Sequence, residues 1–268
     1  MYKADYHMHT AFSPDSDEKI ECQIEAAIEK GFSEICITDH FEKEPKDGIT
    51  QLTMDIAQYS RTVRKYKEQY SNKIKVMLGI EVDYDERYAS EIIEHIQQET
   101  FDFIICSTHK CEGDDIYYRK FFEAKEQTEA YQKYFETIYF TLIKYDYFDV
   151  YGHLDYVSRY GNYSNKILDV QNHLDIIHEI LKIIIDKGKG LEVNTSGIRY
   201  GLGHFNPQIP ILKMYLDMGG EIVTIGSDAH NIGQVGYLWE EAAHMLNNIG
   251  FKHFATFENR KPQFHKFL

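Results

Sequence analysis

The chain has 268 residues, 43% of them hydrophobic, enough to bury one barrel-sized core or two ordinary ones. Its 43 acidic against 29 basic residues give a formal charge of −14, which opposes non-specific binding to nucleic acid or to an anionic membrane. The four cysteines, Cys22, Cys36, Cys106 and Cys111, form neither a CxxC pair nor a secreted framework, so reduced thiols in a cytoplasm are expected.

The first predicted element is a strand over Ala4–His9, reached from Met1 without the basic region, apolar core or cleavage site of a leader. Neither export nor membrane insertion is expected, since the longest aliphatic stretch, Ile180–Ile185, is broken by Lys182. Helical spacing follows over Glu18–Lys30, and the alternation then repeats. Strand Glu34–Thr38 precedes helix Met54–Tyr70, strand Lys75–Val82 precedes helix Glu86–Glu99, and strand Phe101–Thr108 precedes helix Lys125–Tyr145. Strands Phe148–Leu154, Gly190–Thr195 and Glu221–Ser227 precede helices Lys166–Lys187, Gln208–Met218 and Gln234–Asn248. Gly31, Gly188 and Gly219 stand where a left-handed residue ends a helix. The tail Phe251–Leu268 is expected to pack as a closing strand or turn plus a short helix. Strands alternating with helices require parallel pairing with the crossover helices outside, and seven units suit a closed barrel better than a short open sheet. With only 5 prolines, no repeat and no low-complexity segment, nothing marks a linker, so one domain over residues 1–268 is expected.

Metal-capable residues fall at or just after the C-terminal ends of nearly all these strands, the catalytic face of a β/α barrel. His7 and His9, two apart, share one side of the first strand, and Asp15 follows in a loop. The next ends read Thr38-Asp39-His40, Gly79-Ile80-Glu81, Ser107-Thr108-His109 and Gly152-His153-Leu154-Asp155. The sixth ends in Asn194-Thr195-Ser196, without an obvious ligand, and the seventh in Ser227-Asp228-Ala229-His230. Taken singly each residue has an ordinary explanation: a turn former for Asp15, a cap or ion pair for Glu81, a surface or packed imidazole for each histidine. Those explanations would have to hold independently at six of seven strand ends, so one shared site is favoured. Six imidazoles and three carboxylates suit zinc, manganese or iron, and nine ligands are too many for one ion.

In order, these motifs resemble those of the polymerase and histidinol phosphatase superfamily, from residue 7 to residue 230. Overall size and the segment Gly197-Ile198-Arg199 make the chain similar to the branch that hydrolyses L-histidinol phosphate in histidine biosynthesis. The resemblance implies a distorted seven-stranded β/α barrel with a trinuclear centre of divalent zinc, iron or manganese. His7, His9, Glu81 and Asp228 would hold one ion, Glu81 would bridge to a second held by His109 and His153, and Asp15, His40 and His230 would hold the third. Glu81, Asp228 and His230 would also be catalytic. Three divalent ions against three carboxylates leave about +3, enough to draw a phosphate dianion into an acidic protein, where a water shared by two ions would attack phosphorus in line. Arg159 and Arg199 are the candidate phosphate clamps, Glu42 faces the substrate's ammonium or imidazole, and Tyr117 lines the pocket, with Tyr117–Phe122 as a candidate lid. The expected partner is a small phosphomonoester, with neither nucleic acid nor membrane. Two alternatives are a nuclease or nucleotide phosphoesterase of the same superfamily, which lacks a basic stripe here, and a metal-binding regulatory domain, whose sites are usually closed to solvent.

Overall fold

The computed structural model describes residues 2–46 and 49–267. Among them, seven parallel strands make the barrel: β1 (Ala4–Asp5), β2 (Glu34–Ile37), β3 (Lys75–Asp83), β4 (Phe103–Ser107), β5 (Val150–Tyr151), β6 (Gly190–Asn194) and β7 (Val223–Gly226). Each is followed by a helix: α1 (Ile20–Glu29), α2 (Ile56–Gln69), α3 (Ala89–Ile96), α4 (Gln127–Lys144), α5 (Leu174–Asp186), α6 (Ile209–Asp217) and α7 (Trp239–Ile249). Neighbours pair in chain order, with registers such as Ala4↔Glu34, Cys36↔Met77, Ile80↔Ile104, Ile105↔Val150, Leu191↔Tyr151 and Leu191↔Val223.

The last seam is closed by main-chain bonds rather than by a full strand ladder. Tyr6 N donates to Ile225 O at 2.9 Å, Asp228 N to His7 O at 2.8 Å and His9 N to Ala229 O at 2.7 Å, with Met8 bridged to Ala229. The sheet is therefore a distorted (β/α)7 barrel. Its strands are buried on both faces, which is why they read as apolar runs rather than as alternation. The helices bury one stripe against them: in α5, Ile177, Ile180, Leu181 and Ile184 recur at helical spacing.

Three expectations are corrected. The helix expected from Lys166 begins only at Leu174, because the Asp169 side chain accepts from Gln171 N and commits the chain to a 3-10 turn over Val170–His173. The helix expected from Gln234 begins at Trp239, after Gly236 and Leu238 adopt φ of +63° and +51°. The tail has the strand that was one of the expected forms, β8 (His253–Glu258), but a second strand, β9 (Lys261–Lys266), makes a hairpin with it where a short helix was expected, with Leu268 outside the described residues. Arg260, in its turn, donates from its backbone to Asp102 O at 2.9 Å and from Nε to Asp149 at 3.0 Å. Asp102 and Asp149 immediately precede β4 and β5, so the hairpin caps the end where the strands begin. Phe257 packs there on Phe103 at 4.9 Å between ring centroids, leaving the opposite mouth free for polar side chains.

Candidate metal centre

The alternation of β1 continues past its last ladder residue. Tyr6 and Met8 turn into the core while His7 and His9 converge, their Nε2 atoms 3.0 Å apart. From β3, the longest strand, Glu81 enters the same space fully buried. Its Oε2 lies 3.2 Å from His7 Nε2 and 3.0 Å from His40 Nδ1; its Oε1 lies 3.0 Å from His153 Nε2 and 3.4 Å from His109 Nε2. Asp228, just beyond β7, brings Oδ1 to 3.4 Å from His9 Nε2 and 3.8 Å from His7 Nε2. Asp15 Oδ2 lies 2.9 Å from His230 Nε2 and 3.5 Å from His40 Nε2. All nine candidate ligands are thus together at the mouth. Among the described residues, five groups have ligand atoms within 4.8 Å of one another, and three of them are built from the candidate ligands: His7, His9 and Glu81; Glu81, His109 and His153; and Asp15, His40 and His230, which His9 joins. The other two bring in Glu192, beside His7 and His153, and Glu42, beside His40 and His109.

Several observations test whether these residues fit cations. Glu81 Oε2, His40 Nδ1 and His153 Nδ1 are buried without a hydrogen bond, although Glu81 Oε2 and His40 Nδ1 are only 3.0 Å apart. Buried polar atoms are seldom left so, and the lone pairs of Glu81 Oε2 and His40 Nδ1, aimed at one another, suit a shared metal better than direct contact. Burial alone would raise the Glu81 and Asp228 carboxyls, but the facing imidazoles outweigh it and hold both well below the usual range. Burial, with His230 and His40 alongside, pushes His9 down to about 3, leaving a neutral imidazole. Against burial, the facing carboxylates hold His7, His40, His109 and His230 above the ordinary imidazole value, so protons occupy the shared space in the absence of an ion, and a bound cation would take their place.

A second layer orients this set, and most of it was absent from the sequence reading. Glu192, on β6, accepts from His7 Nδ1 at 2.5 Å and from His153 N at 2.8 Å. The strand end thought to lack a ligand thus supplies the carboxylate behind one. A carboxylate amid an apolar strand, two residues before Asn194 and so on the same side, was the available signal. Asp39 accepts from Ser13 Oγ at 2.7 Å, and Ser13 Oγ meets His9 Nδ1 at 3.0 Å. Ser107 Oγ donates to Glu81 Oε1 at 2.6 Å. Asp155, conspicuous in its motif, instead accepts from Gln208 N at 3.0 Å and from Asn206, and holds that loop. Gly226 makes room for the second layer: a Cβ there would lie 2.4 Å from Glu192 Oε1 and 2.5 Å from His7 Cβ.

The mouth opens into a cleft of about 610 Å³, which Arg159, Arg199, Glu42 and Tyr117 all line. Arg159 is 3% exposed, with Nη1 on Asp228 Oδ2 at 3.0 Å, Nε on Asn206 at 3.1 Å and Nη2 on Asn194 at 3.2 Å. Its guanidinium lies between the rings of Tyr156 and Tyr200, at 5.0 and 4.8 Å. Arg199 donates to the carbonyls of Ser227 and Asp228, both at 2.7 Å, bracing Asp228 at a φ of +55°. Glu42 pairs with Lys110, whose Nζ also reaches Asp83 at 3.0 Å. Tyr117 is 58% exposed at the rim, while Phe121 and Phe122 of the same aromatic stretch are buried in the core.

A closed parallel barrel whose C-terminal mouth gathers imidazoles and carboxylates is the setting of a metal-dependent hydrolase, and the chain belongs to the PHP domain family, whose sequence model matches residues 5–196. Within that family it is similar to histidinol-phosphatases. It is 30% identical to the histidinol-phosphatase of Lactococcus lactis subsp. lactis IL1403, over 97% of this chain and 96% of that one. It is 32% identical to a Clostridium acetobutylicum protein named "Probable histidinol-phosphatase", over 92% and 94% of the two chains. The crystal structure of the Lactococcus enzyme, complexed with zinc, L-histidinol and phosphate, matches with a TM-score of 0.87, covering 97% of this chain and 98% of that one at 29% identity.

Proposed function

We propose that the chain is a metal-dependent phosphomonoesterase that hydrolyses L-histidinol phosphate to L-histidinol and phosphate. The observation that carries it is the convergence of nine imidazole and carboxylate groups at one barrel mouth, all but the buried His7 and His9 lining the cleft, with Glu81 shared between two of the three sets. The similarity to an enzyme crystallised with zinc, L-histidinol and phosphate supports the substrate. Three divalent transition-metal ions are proposed, zinc, iron or manganese: one with His7, His9, Glu81 and Asp228, one with Glu81, His109 and His153, and one with Asp15, His40 and His230. Ions bound there would offset the carboxylate charge, acidify a coordinated water and stabilise charge on the phosphoryl oxygens.

The protein's own groups supply the rest. Glu192 fixes the His7 tautomer by accepting at Nδ1, which leaves Nε2 free to ligate. Arg159 and Arg199 give the cleft positive charge beside Asp228, suited to the oxygens of a phosphate that approaches them. The proposal treats residues 1–268 as one domain acting in the cytoplasm. No helix among the described residues is long and apolar enough to cross a membrane. The test is phosphate release from L-histidinol phosphate, sugar phosphates, mononucleotides and DNA ends, on protein of measured metal content. Strong preference for L-histidinol phosphate is expected, and faster turnover of a nucleotide or an oligonucleotide would reassign the substrate.

A further inference from the structure

Five carboxylates line the cleft: Asp15, Glu42, Glu81, Asp115 and Asp228. Asp15, Glu81 and Asp228 face histidines of the three sets, and Glu42 is paired with Lys110, which it shares with Asp83. Among the described residues Asp115 is the one of the five with no basic or histidine side chain in ion-pair reach. Its place is nevertheless fixed. It pairs across a short hairpin with Lys110, its Oδ1 accepts from Tyr117 N at 2.8 Å, and the next residue, Ile116, donates from its backbone to His109 O at 2.9 Å. The side chain is half-buried, so an ionic contact made to it is less screened than one on the open surface.

The wall beside it is aromatic. Tyr117 meets Tyr160 edge-on at 5.6 Å, and Tyr160 in turn meets Tyr156 at 5.1 Å and Tyr200 at 5.7 Å. Ring faces attract cations, and a free carboxylate among them is a cation site in which the ion would find a partner already in place. Arg159 already occupies the faces of Tyr156 and Tyr200 beside Asp228, so the aromatic surface left to a cation near Asp115 is that of Tyr117 and Tyr160, at the end of the cleft away from the arginine–Asp228 contacts.

We propose that Asp115 is the specificity-determining residue for the alcohol half of the substrate, binding an ammonium or imidazolium carried by that alcohol. This rests on the phosphomonoesterase reading above and adds which group recognises the leaving alcohol. Glu42, expected from the sequence to face the substrate's cation, is held against Lys110, which it shares with Asp83, whereas Asp115 has no such partner among the described residues. An ester of a neutral alcohol offers Asp115 at most a hydroxyl hydrogen bond and no charge, so the carboxylate discriminates by charge.

The test compares wild type with Asp115→Asn on esters that differ in the charge of the alcohol: L-histidinol phosphate and phosphoethanolamine, each against glycerol phosphate. The ratio of kcat/KM for cationic over neutral ester is expected to fall roughly ten- to a hundredfold, mainly through KM. Both members of a ratio come from one preparation, so altered metal content cancels. Asp115→Ser, which keeps an oxygen for the Tyr117 N–H, should behave alike and guards against collapse of the local turn. Unchanged ratios in both variants overturn the assignment. A wild type that is inactive on L-histidinol phosphate but active on the other pair refutes the proposed substrate, and the phosphoethanolamine ratio then still decides Asp115. Turnover of none of these esters overturns both.

Discussion

Replacing Glu192 with glutamine keeps its shape and removes one acceptor, and the consequence can be worked through atom by atom. Glu192 Oε1 accepts from His7 Nδ1 at 2.5 Å, while Oε2 accepts from His153 N at 2.8 Å and Asn194 Nδ2 at 3.2 Å. An amide has one oxygen for these two directions. If it serves His153 and Asn194, the NH2 faces His7 Nδ1, and the imidazole must move its proton to Nε2, the atom that points at Glu81 and the shared space. If it serves His7, the buried His153 N–H loses its partner, at a cost of about 1–3 kcal/mol. Either outcome weakens a ligand, and removing such a supporting contact typically costs about 10- to 100-fold in metal affinity, or about 1.4–2.7 kcal/mol. Dialysis against graded chelator, followed by elemental analysis of the protein, measures this directly. Glu192→Gln should lose its metals at about a tenth or less of the chelator activity that strips the wild type. Equal retention across the whole series would refute the idea that Glu192 sets the His7 tautomer.

Glu81→Gln removes one charge from two sets at once, so metal content and turnover should fall far more than thermal stability; full metal content with normal turnover would rule out the shared role. Arg199→Ala removes both a candidate phosphate contact and the brace on the Asp228 backbone, so catalytic efficiency per bound metal should drop about ten- to a hundredfold, with Arg199→Lys recovering only part because an ammonium lacks the two-pronged fork; wild-type kinetics would shift attention to Arg159. Gly226→Ala forces a methyl to within 2.4 Å of Glu192 Oε1 in a buried wall, so the urea midpoint should fall by the equivalent of about 1–3 kcal/mol, and an unmoved midpoint would mean that β7 can shift away freely.

The parts of the site that could be read from the sequence are those that break the local apolar pattern at strand ends. His7 and His9 alternate with Tyr6 and Met8, and Glu81 closes an apolar run, so each is visible as a polar residue where burial was expected. Glu192 escaped because it lies inside its strand between Leu191 and Val193, one layer below the mouth, where only its charge marks it. Ser13 and Asp39 escaped because their function is to hold His9 through a contact that crosses from one unit to the next, and sequence spacing carries no trace of it. The tail was misread for a different reason. Two-residue hairpins favour glycine at a position of positive φ, and here Asn259 and Arg260 adopt +49° and +63°. An arginine is a poor turn former alone; the ion pair with buried Asp149 offsets the backbone cost, and that pairing is tertiary.

If ions bind as proposed, the seam between β1 and β7 would make their capture a checkpoint on a chain folded through β7. His7 and His9 come from the first strand and Asp228 and His230 from beyond the last, and they meet only where the sparse main-chain bonds zip the seam shut. A nascent or truncated polypeptide that ends before β7 would carry the Glu81, His109 and His153 set but neither the Asp228 carboxylate nor the His230 imidazole. Ions that bind only the zipped form would in turn stabilise it in proportion to the logarithm of their free concentration. Starving cells of such ions would therefore be felt first as breathing at this seam, on the opposite side of the barrel from β4, which stays paired on both edges.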